Sequence, residues 1–366
     1  MKYLYSIFSI VIFLFISPLL IAQPDVQIKG HMIHAVQEKP APGNAPYAMK
    51  KKPKQYVTLL DVALSEHAWQ TLNKRAKTTV ASKPRMLEQN QPHDLKTSVQ
   101  LGMNAVPVLD QGMHGTCATF AITAALDAAL NQGDYISQLC HLQLGETISE
   151  NSYRPSGWDG STIAYIFNQI DTFGIVDTAT QKAVGCGGLN NYHDAPSTPL
   201  ATMTVSEYHA LSSPLPDEIS ATQLLTTEQI FKDFINPEDT LKAVKNALRH
   251  HDRLAFGTLL LGLNEGQVGA TGKHHEINDT WLLTPEVLVS LLTHNNYGGH
   301  AMVITGFDDL ATATDVHGQV HQGLLTLRNS WGSHAGDQGD FYMTYDYFKL
   351  LTLELIRIRS NNAIFN

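Results

Sequence analysis

The chain has 366 residues, 43% of them hydrophobic and 16% charged, with a formal net charge of −9. That composition is ordinary for a globular protein, and no internal repeat is evident. The charge is unevenly placed: residues 23–100 carry 12 Lys and Arg against 6 Asp and Glu, whereas residues 101–366 carry 12 against 28. An acidic region of that size repels phosphate, which argues against nucleic acid as a partner.

In chain order, Lys2 precedes an apolar stretch, Tyr3 to Ala22, broken by Pro18. It reads as a signal peptide over residues 1–22, which places the mature chain in the periplasm or the external medium. At about 20 residues the stretch is also long enough to span a bilayer uncleaved; cleavage is the reading adopted, and no stable membrane anchor is expected. Residues 23–54, rich in Pro, Ala and Lys, predict an extended arm. Leu60, Leu64, Ala68, Leu72 and Ala76 recur at helical spacing and predict one amphipathic helix. A polar linker with Pro84 and Pro92 follows. A basic segment joined to an acidic domain has that domain as its nearest partner. Residues 23–100 are therefore expected to clamp residues 101–366 as an intramolecular inhibitor, partly through long-range attraction that salt screens.

The next element carries chemistry. Asp110-Gln111-Gly112-Met113-His114-Gly115-Thr116-Cys117 sets a thiol at the first turn of an expected helix over residues 117–132, six residues after a glutamine. The positive end of a helix dipole lowers a thiol's pKa and favours the nucleophilic thiolate. Gln111 brings a side-chain amide that can donate to a developing oxyanion. Asp159-Gly160-Ser161 opens a second helical pattern over residues 163–173. Short apolar runs at residues 253–263, 300–307 and 323–329 predict strands. Gly298-Gly299-His300-Ala301 begins one of them, and Arg328-Asn329-Ser330-Trp331-Gly332 ends another. A histidine base held by an asparagine carbonyl completes a Cys-His-Asn constellation.

These blocks, in the order Gln-Cys, His, Asn, resemble the papain family of cysteine peptidases, and its bacterial branch in particular. The resemblance covers roughly residue 101 to the C-terminus. It implies an α+β, two-lobed fold: a helical lobe with the Cys helix and an antiparallel, β-rich lobe with His and Asn, preceded by a pro-segment. It also implies a monomeric, secreted peptidase made as a zymogen and acting on peptide or protein substrates without a cofactor. In the family's mechanism Cys117 attacks, His300 moves the proton, Asn329 orients the imidazole, and Gln111 with the Cys117 N–H receives the oxyanion. Gly160 and Ser161 fall where the family pairs with substrate backbone, and Trp331 where it shields the His-Asn bond.

The departures are informative. Ala118 replaces the aromatic residue that usually follows the nucleophile, and Gly299 stands where many relatives have an acid. The family's first disulfide would join the positions of His114 and Trp158, so both partners are missing together. Cys140 and Cys186 lie where its second bridge falls, which implies that they pair; two buried free thiols are the other reading. The bridge would close a loop of about 47 residues, worth roughly 4 kcal/mol in the chain-entropy account. His300 follows Cys117 by 183 positions, against about 130 in the family. The excess is assigned to insertions around residues 192–239 and 264–296, expected as surface loops bordering the cleft. His250-His251-Asp252 and His274-His275-Glu276 lack the spacing of a helix-borne zinc site, and no metal is expected. Two other functions fit the same residues: a noncatalytic binding protein, and an acyltransferase or amidase.

Overall fold

The computed structural model describes residues 24–36, 55–81, 96–152, 157–193, 202–232, 235–261, 279–293, 296–315 and 317–361. The expected signal peptide, the lysine run at residues 50–54, the proline-bearing linker and the His274-His275-Glu276 cluster lie outside these residues.

The described chain opens with a hairpin of β1 (Val26–Val36) and β2 (Gln55–Leu64), then α1 (Glu66–Ala81) and the short β3 (Ser98–Gln100). Five helices come next: α2 (Cys117–Leu130), α3 (Gln138–Ser152), α4 (Ile163–Phe173), α5 (Thr178–Val184) and α6 (Val205–Leu211). Strands and helices then alternate through β4 (Ile219–Leu225), α7 (Thr227–Phe231), α8 (Pro237–Arg249), β5 (Arg253–Leu260), β6 (Thr280–Trp281) and α9 (Pro285–Thr293). The chain closes with β7 (Asn296–Thr314), β8 (Val320–Arg328), β9 (Asp340–Thr344), α10 (Tyr345–Leu351) and β10 (Thr352–Ser360).

The described strands form one ten-stranded sheet along the path β4-β10-β5-β7-β8-β9-β6, with β2 and β3 added on β7 and β1 on β2, all antiparallel except for the β6–β9 pair. The expected strand runs therefore fall on β5, β7 and β8. This is the α+β arrangement the sequence implies. A main core joins α2 to the sheet, and a smaller helical core gathers Leu142, Trp158, Tyr208 and the Cys140–Cys186 pair.

Helix α2 is the hinge of the arrangement. Its Ala- and Thr-rich sequence offers small side chains on every side, and Cys117 through Ala128 are all buried. It stops at Asn131, whose left-handed φ of 58° closes the last turn onto the Asp127 carbonyl. Helix α4 is capped by the Thr162 hydroxyl. A carboxylate from the sheet, Glu354 of β10, accepts from the Ile163 N–H at 3.0 Å and ties the helical layer to the sheet.

The N-terminal segment departs from its sequence reading. Residues 26–36 are a strand, not an extended arm, and Leu60 and Leu64 lie on β2 rather than on a helix. Periodicity misleads here because β2 runs between β1 and β7 and buries both faces, so Leu59, Leu60, Val62, Ala63 and Leu64 are all enclosed. Helix α1 begins only at Glu66, with Ser65 Oγ accepting from the Ala68 N–H at 3.1 Å. Ala68, Leu72 and Ala76 do form its buried stripe.

The first expected insertion also differs in kind. Residues 219–225 are a sheet strand, paired along β10 from Leu355 to Ser360. A two-residue alternation broken by Thr222 and Gln223 gave little signal for it. In the second range, β6 and α9 are formed and residues 262–278 lie outside the described part.

Candidate active site

Antiparallel pairing of β7 with β8 brings the start of one strand beside the end of the other. His300, near the start of β7, therefore meets Asn329, just past the end of β8. Their side chains are 2.7 Å apart, His300 Nε2 to Asn329 Oδ1. The same Oδ1 receives the Ser330 backbone N–H at 2.7 Å, which fixes it as the acceptor. Nε2 must then carry the imidazole proton in the neutral ring, leaving Nδ1 as the lone-pair nitrogen. Nδ1 is buried and has no hydrogen-bond partner among the described residues. Trp331 stacks on the ring with centroids 4.5 Å apart and planes 23° from parallel. Burial pushes His300 down to about 4, offset in part by the Asn329 bond.

Cys117 opens α2, fully buried, with its thiol in reach of the Ala301 N–H next to His300. Here the sequence expectation is corrected. Burial pushes the Cys117 thiol up to about 12; the backbone N–H groups of Ala301 and Ala118 favour the thiolate, and Glu354 opposes it. Loss of solvation outweighs the helix terminus. Thiol and imidazole are thus both neutral, and they share no hydrogen bond.

Gln111 lies beside them. Its N–H donates to the Ser330 carbonyl at 2.9 Å. Its side-chain Oε1 accepts from Ser330 Oγ at 2.8 Å, while Nε2 donates to the His114 carbonyl at 2.9 Å. Ser330 therefore sets the amide's orientation, and one of the two Nε2 hydrogens stays available. Asp110 bridges to Trp331, and Gly332 N–H donates to the Leu109 carbonyl at 3.0 Å. The loop before Cys117 and the block after Asn329 are in this way laced into one unit, bringing Gln111, His300, Asn329 and Trp331 together.

His114 and Trp158 stand where the resemblance places a bridge. Their rings meet edge to face at 4.8 Å, and Gly115 N–H donates to the Trp158 carbonyl at 2.9 Å. Tyr192 stacks on Trp158 at 5.5 Å, an aromatic layer in place of sulfur. Cys140 and Cys186 are joined, with Cα atoms 5.1 Å apart.

The hairpin lies over the start of β7 and against the Gly160 wall. Strand β2 adds to the edge of β7 that β8 leaves open, with Leu60 opposite Gly299 and Asp61 opposite Gly298. On the far wall is Gly160, at φ +124°, where a Cβ would stand 2.8 Å from both Ile28 Cγ2 and Leu60 Cδ2. Glycine is needed there for its backbone conformation and for space alike. Its neighbour Ser161 is buried, with Oγ unpartnered among the described residues. Thr58 Oγ1 donates to the Gly112 carbonyl at 3.0 Å, and His31 Nδ1 lies 3.5 Å from Asp159 Oδ1. The contact is chiefly backbone pairing and aliphatic packing, with charge added at its edge.

Sequence reasoning missed Ile28, Leu60, Ser330, Tyr192 and Glu354. Ser330 sits inside a block the sequence singles out, whereas Tyr192 and Glu354 belong to no local pattern. Among the described residues no group of three His, Cys, Asp or Glu is placed to hold a metal ion. His250 ends α8 with Nδ1 2.8 Å from the Asn246 carbonyl.

No family model and no curated protein matches the sequence. Solved structures do resemble it. Xylellain, a cysteine protease from Xylella fastidiosa, shares 17% identity over 78% of this chain and 89% of its own, with a TM-score of 0.47. Digestive procathepsin L 3 from the larval midgut of Tenebrio molitor shares 16% over 79% of each chain, with a TM-score of 0.42. The proform of Amb a 11, a ragweed pollen cysteine protease, shares 16% over 79% of this chain and 76% of its own, with a TM-score of 0.43. At such identities and scores the chain's own side chains, rather than the likeness, must decide what the site does.

Proposed function

We propose that this chain is a papain-like cysteine peptidase, exported and held latent by its own N-terminal hairpin. The observation that carries the reading is the His300–Asn329 pair, 2.7 Å apart, with His300 on the strand whose other edge the hairpin occupies. Once the hairpin leaves, water and substrate reach the site and the Cys117 proton can pass to His300 Nδ1. The thiolate attacks a peptide carbonyl, and the oxyanion is received by Gln111 Nε2 and the Cys117 N–H, each good donor being worth roughly 3 kcal/mol. Collapse breaks the C–N bond, His300 protonates the leaving amine, and water releases the acyl group from sulfur.

The absence of a hydrogen bond between the thiol and the imidazole favours a second reading, a binding protein on the same scaffold. One experiment separates the two. The full chain and its Leu60→Glu variant are treated with an epoxysuccinyl thiol probe, each with and without Cys117→Ala, and followed by intact mass and peptide hydrolysis. A latent peptidase is labelled at Cys117 and turns over only in the Leu60→Glu form. A chain in which Leu60→Glu opens the cleft, so that iodoacetamide reaches Cys117, but which hydrolyses nothing is a binding protein.

A further inference from the structure

Tyr192 lies just past the helical core, outside every motif the sequence singles out. Its hydroxyl donates to the Gln111 carbonyl at 2.9 Å and lies 2.9 Å from Thr116 Oγ1. A carbonyl can only accept, so the single phenolic proton is committed to Gln111, and Thr116 must donate to the tyrosine oxygen. The result is a directed chain from Thr116 through Tyr192 to Gln111. Thr116, at the N-cap of α2, makes no cap bond with its side chain, and its hydroxyl serves this chain instead.

The two ends of the loop that the hydroxyl joins are the ones that matter for the chemistry. Gln111 carries the amide donor, and Thr116 immediately precedes the Cys117 N–H. Gln111 and Thr116 are both fully buried, so a broken bond there is not replaced by solvent at no cost. The ring itself is fixed from both sides, stacked on Trp158 at 5.5 Å and edge-on to Phe120 at 5.3 Å. Phe120 lies in the first turn of α2.

We infer that Tyr192 is a positioning residue for the oxyanion-binding loop, its hydroxyl setting the distance between the Gln111 amide and the Cys117 N–H. This rests on the peptidase reading. An oxyanion forms when a carbonyl is attacked but not when the thiol is alkylated, so the two reactions of Cys117 report on different things. A residue that merely supports the fold would affect both.

The test uses the full chain carrying Leu60→Glu, to open the cleft, with and without Tyr192→Phe, which keeps the ring and removes the hydroxyl. Peptide hydrolysis and alkylation of Cys117 by iodoacetamide are measured side by side. The expected result is a loss of about tenfold in kcat with KM and the alkylation rate unchanged. Thr116→Val should show the same split, Thr116→Ser should restore kcat, and the double variant Thr116→Val with Tyr192→Phe should be no worse than Tyr192→Phe, because the bonds form one chain. An unchanged kcat, or alkylation that falls in parallel with hydrolysis, overturns the inference. If the Leu60→Glu parent is alkylated at Cys117 yet hydrolyses nothing, the peptidase reading itself fails and this inference falls with it.

Discussion

The proposed hairpin latch makes a quantitative demand on Leu60. Its side chain is 6% exposed, wedged between Gly160 on one wall of the cleft and Gly299 on the other. Truncation to alanine removes a nearly buried isobutyl group and leaves a gap between two glycines that cannot reach across to fill it. Such a change costs about 3 kcal/mol. The loss falls on hairpin docking, because β2 meets β7 only over residues 60–63. Three kcal/mol raises the open fraction roughly 150-fold. Iodoacetamide alkylation of Cys117 in the full chain, quenched over time and read by intact mass, follows that fraction when closing is faster than reaction. Leu60→Ala should speed alkylation by about two orders of magnitude. Ile33→Ala, on the same hairpin but 43% exposed, should leave it unchanged. A Leu60→Ala rate within threefold of the parent, in a protein whose thermal midpoint has plainly fallen, would refute the reasoning: Leu60 would then stabilise the fold without closing the cleft.

Further outcomes follow from the same contacts. Gly160→Ala forces a methyl group within 2.8 Å of Ile28 and Leu60 at a φ of +124°, so it should also expose Cys117, read by the same alkylation rate. With burial holding the thiol up at about 12, the full chain's alkylation should stay slow and keep rising with pH beyond neutrality; in Leu60→Glu the thiol's titration should move down, and a pH–rate profile compares the two. Asp159 is held below the ordinary carboxylate value of 3.8, chiefly by the bond from His31, so its contribution to docking is present above that value and lost as pH falls below it. Because Asp159 is 56% exposed, the pair is worth at most about 1 kcal/mol. Labelling with a dipyridyl disulfide should therefore rise only a few-fold below pH 4, and Asp159→Asn should abolish that rise. Salt tests the long-range attraction between the basic segment and the acidic domain: labelling that stays flat between about 0.05 and 1 M would leave short-range packing as the latch.

How much of this was legible in the sequence depends on how local each signal was. Gln111, Cys117, His300 and Asn329 sit in short blocks whose spacing carries their chemistry, and the structure brings the blocks together through the β7–β8 pairing and the lacing of Asp110 to Trp331. The disulfide partners were legible only through resemblance. The hairpin was not legible as a hairpin: a strand buried on both faces has no alternation, and the segment between its arms is polar and long. Likewise the thiol's pKa could not be read from its place on α2, because its burial depends on core residues distant in sequence. Tyr192 acts across 81 positions on Gln111 and Glu354 across 191 on Ile163, and no pattern along the chain encodes such pairs.

In the proposed zymogen, latency and substrate binding compete for one edge. The start of β7 is paired on one side by β5, along residues 298–304, and on the other by β2, along residues 296–299. An extended substrate seeking main-chain bonds beside His300 has only the second edge to use, and the hairpin already satisfies it. The far wall at Gly160 is likewise filled by Ile28 and Leu60. In the proposed zymogen, activation requires β2 to leave β7, and the same event would restore solvent to the thiol, lower its pKa and free the strand edge. In that reading nucleophile activation and substrate access are coupled through a single set of backbone hydrogen bonds.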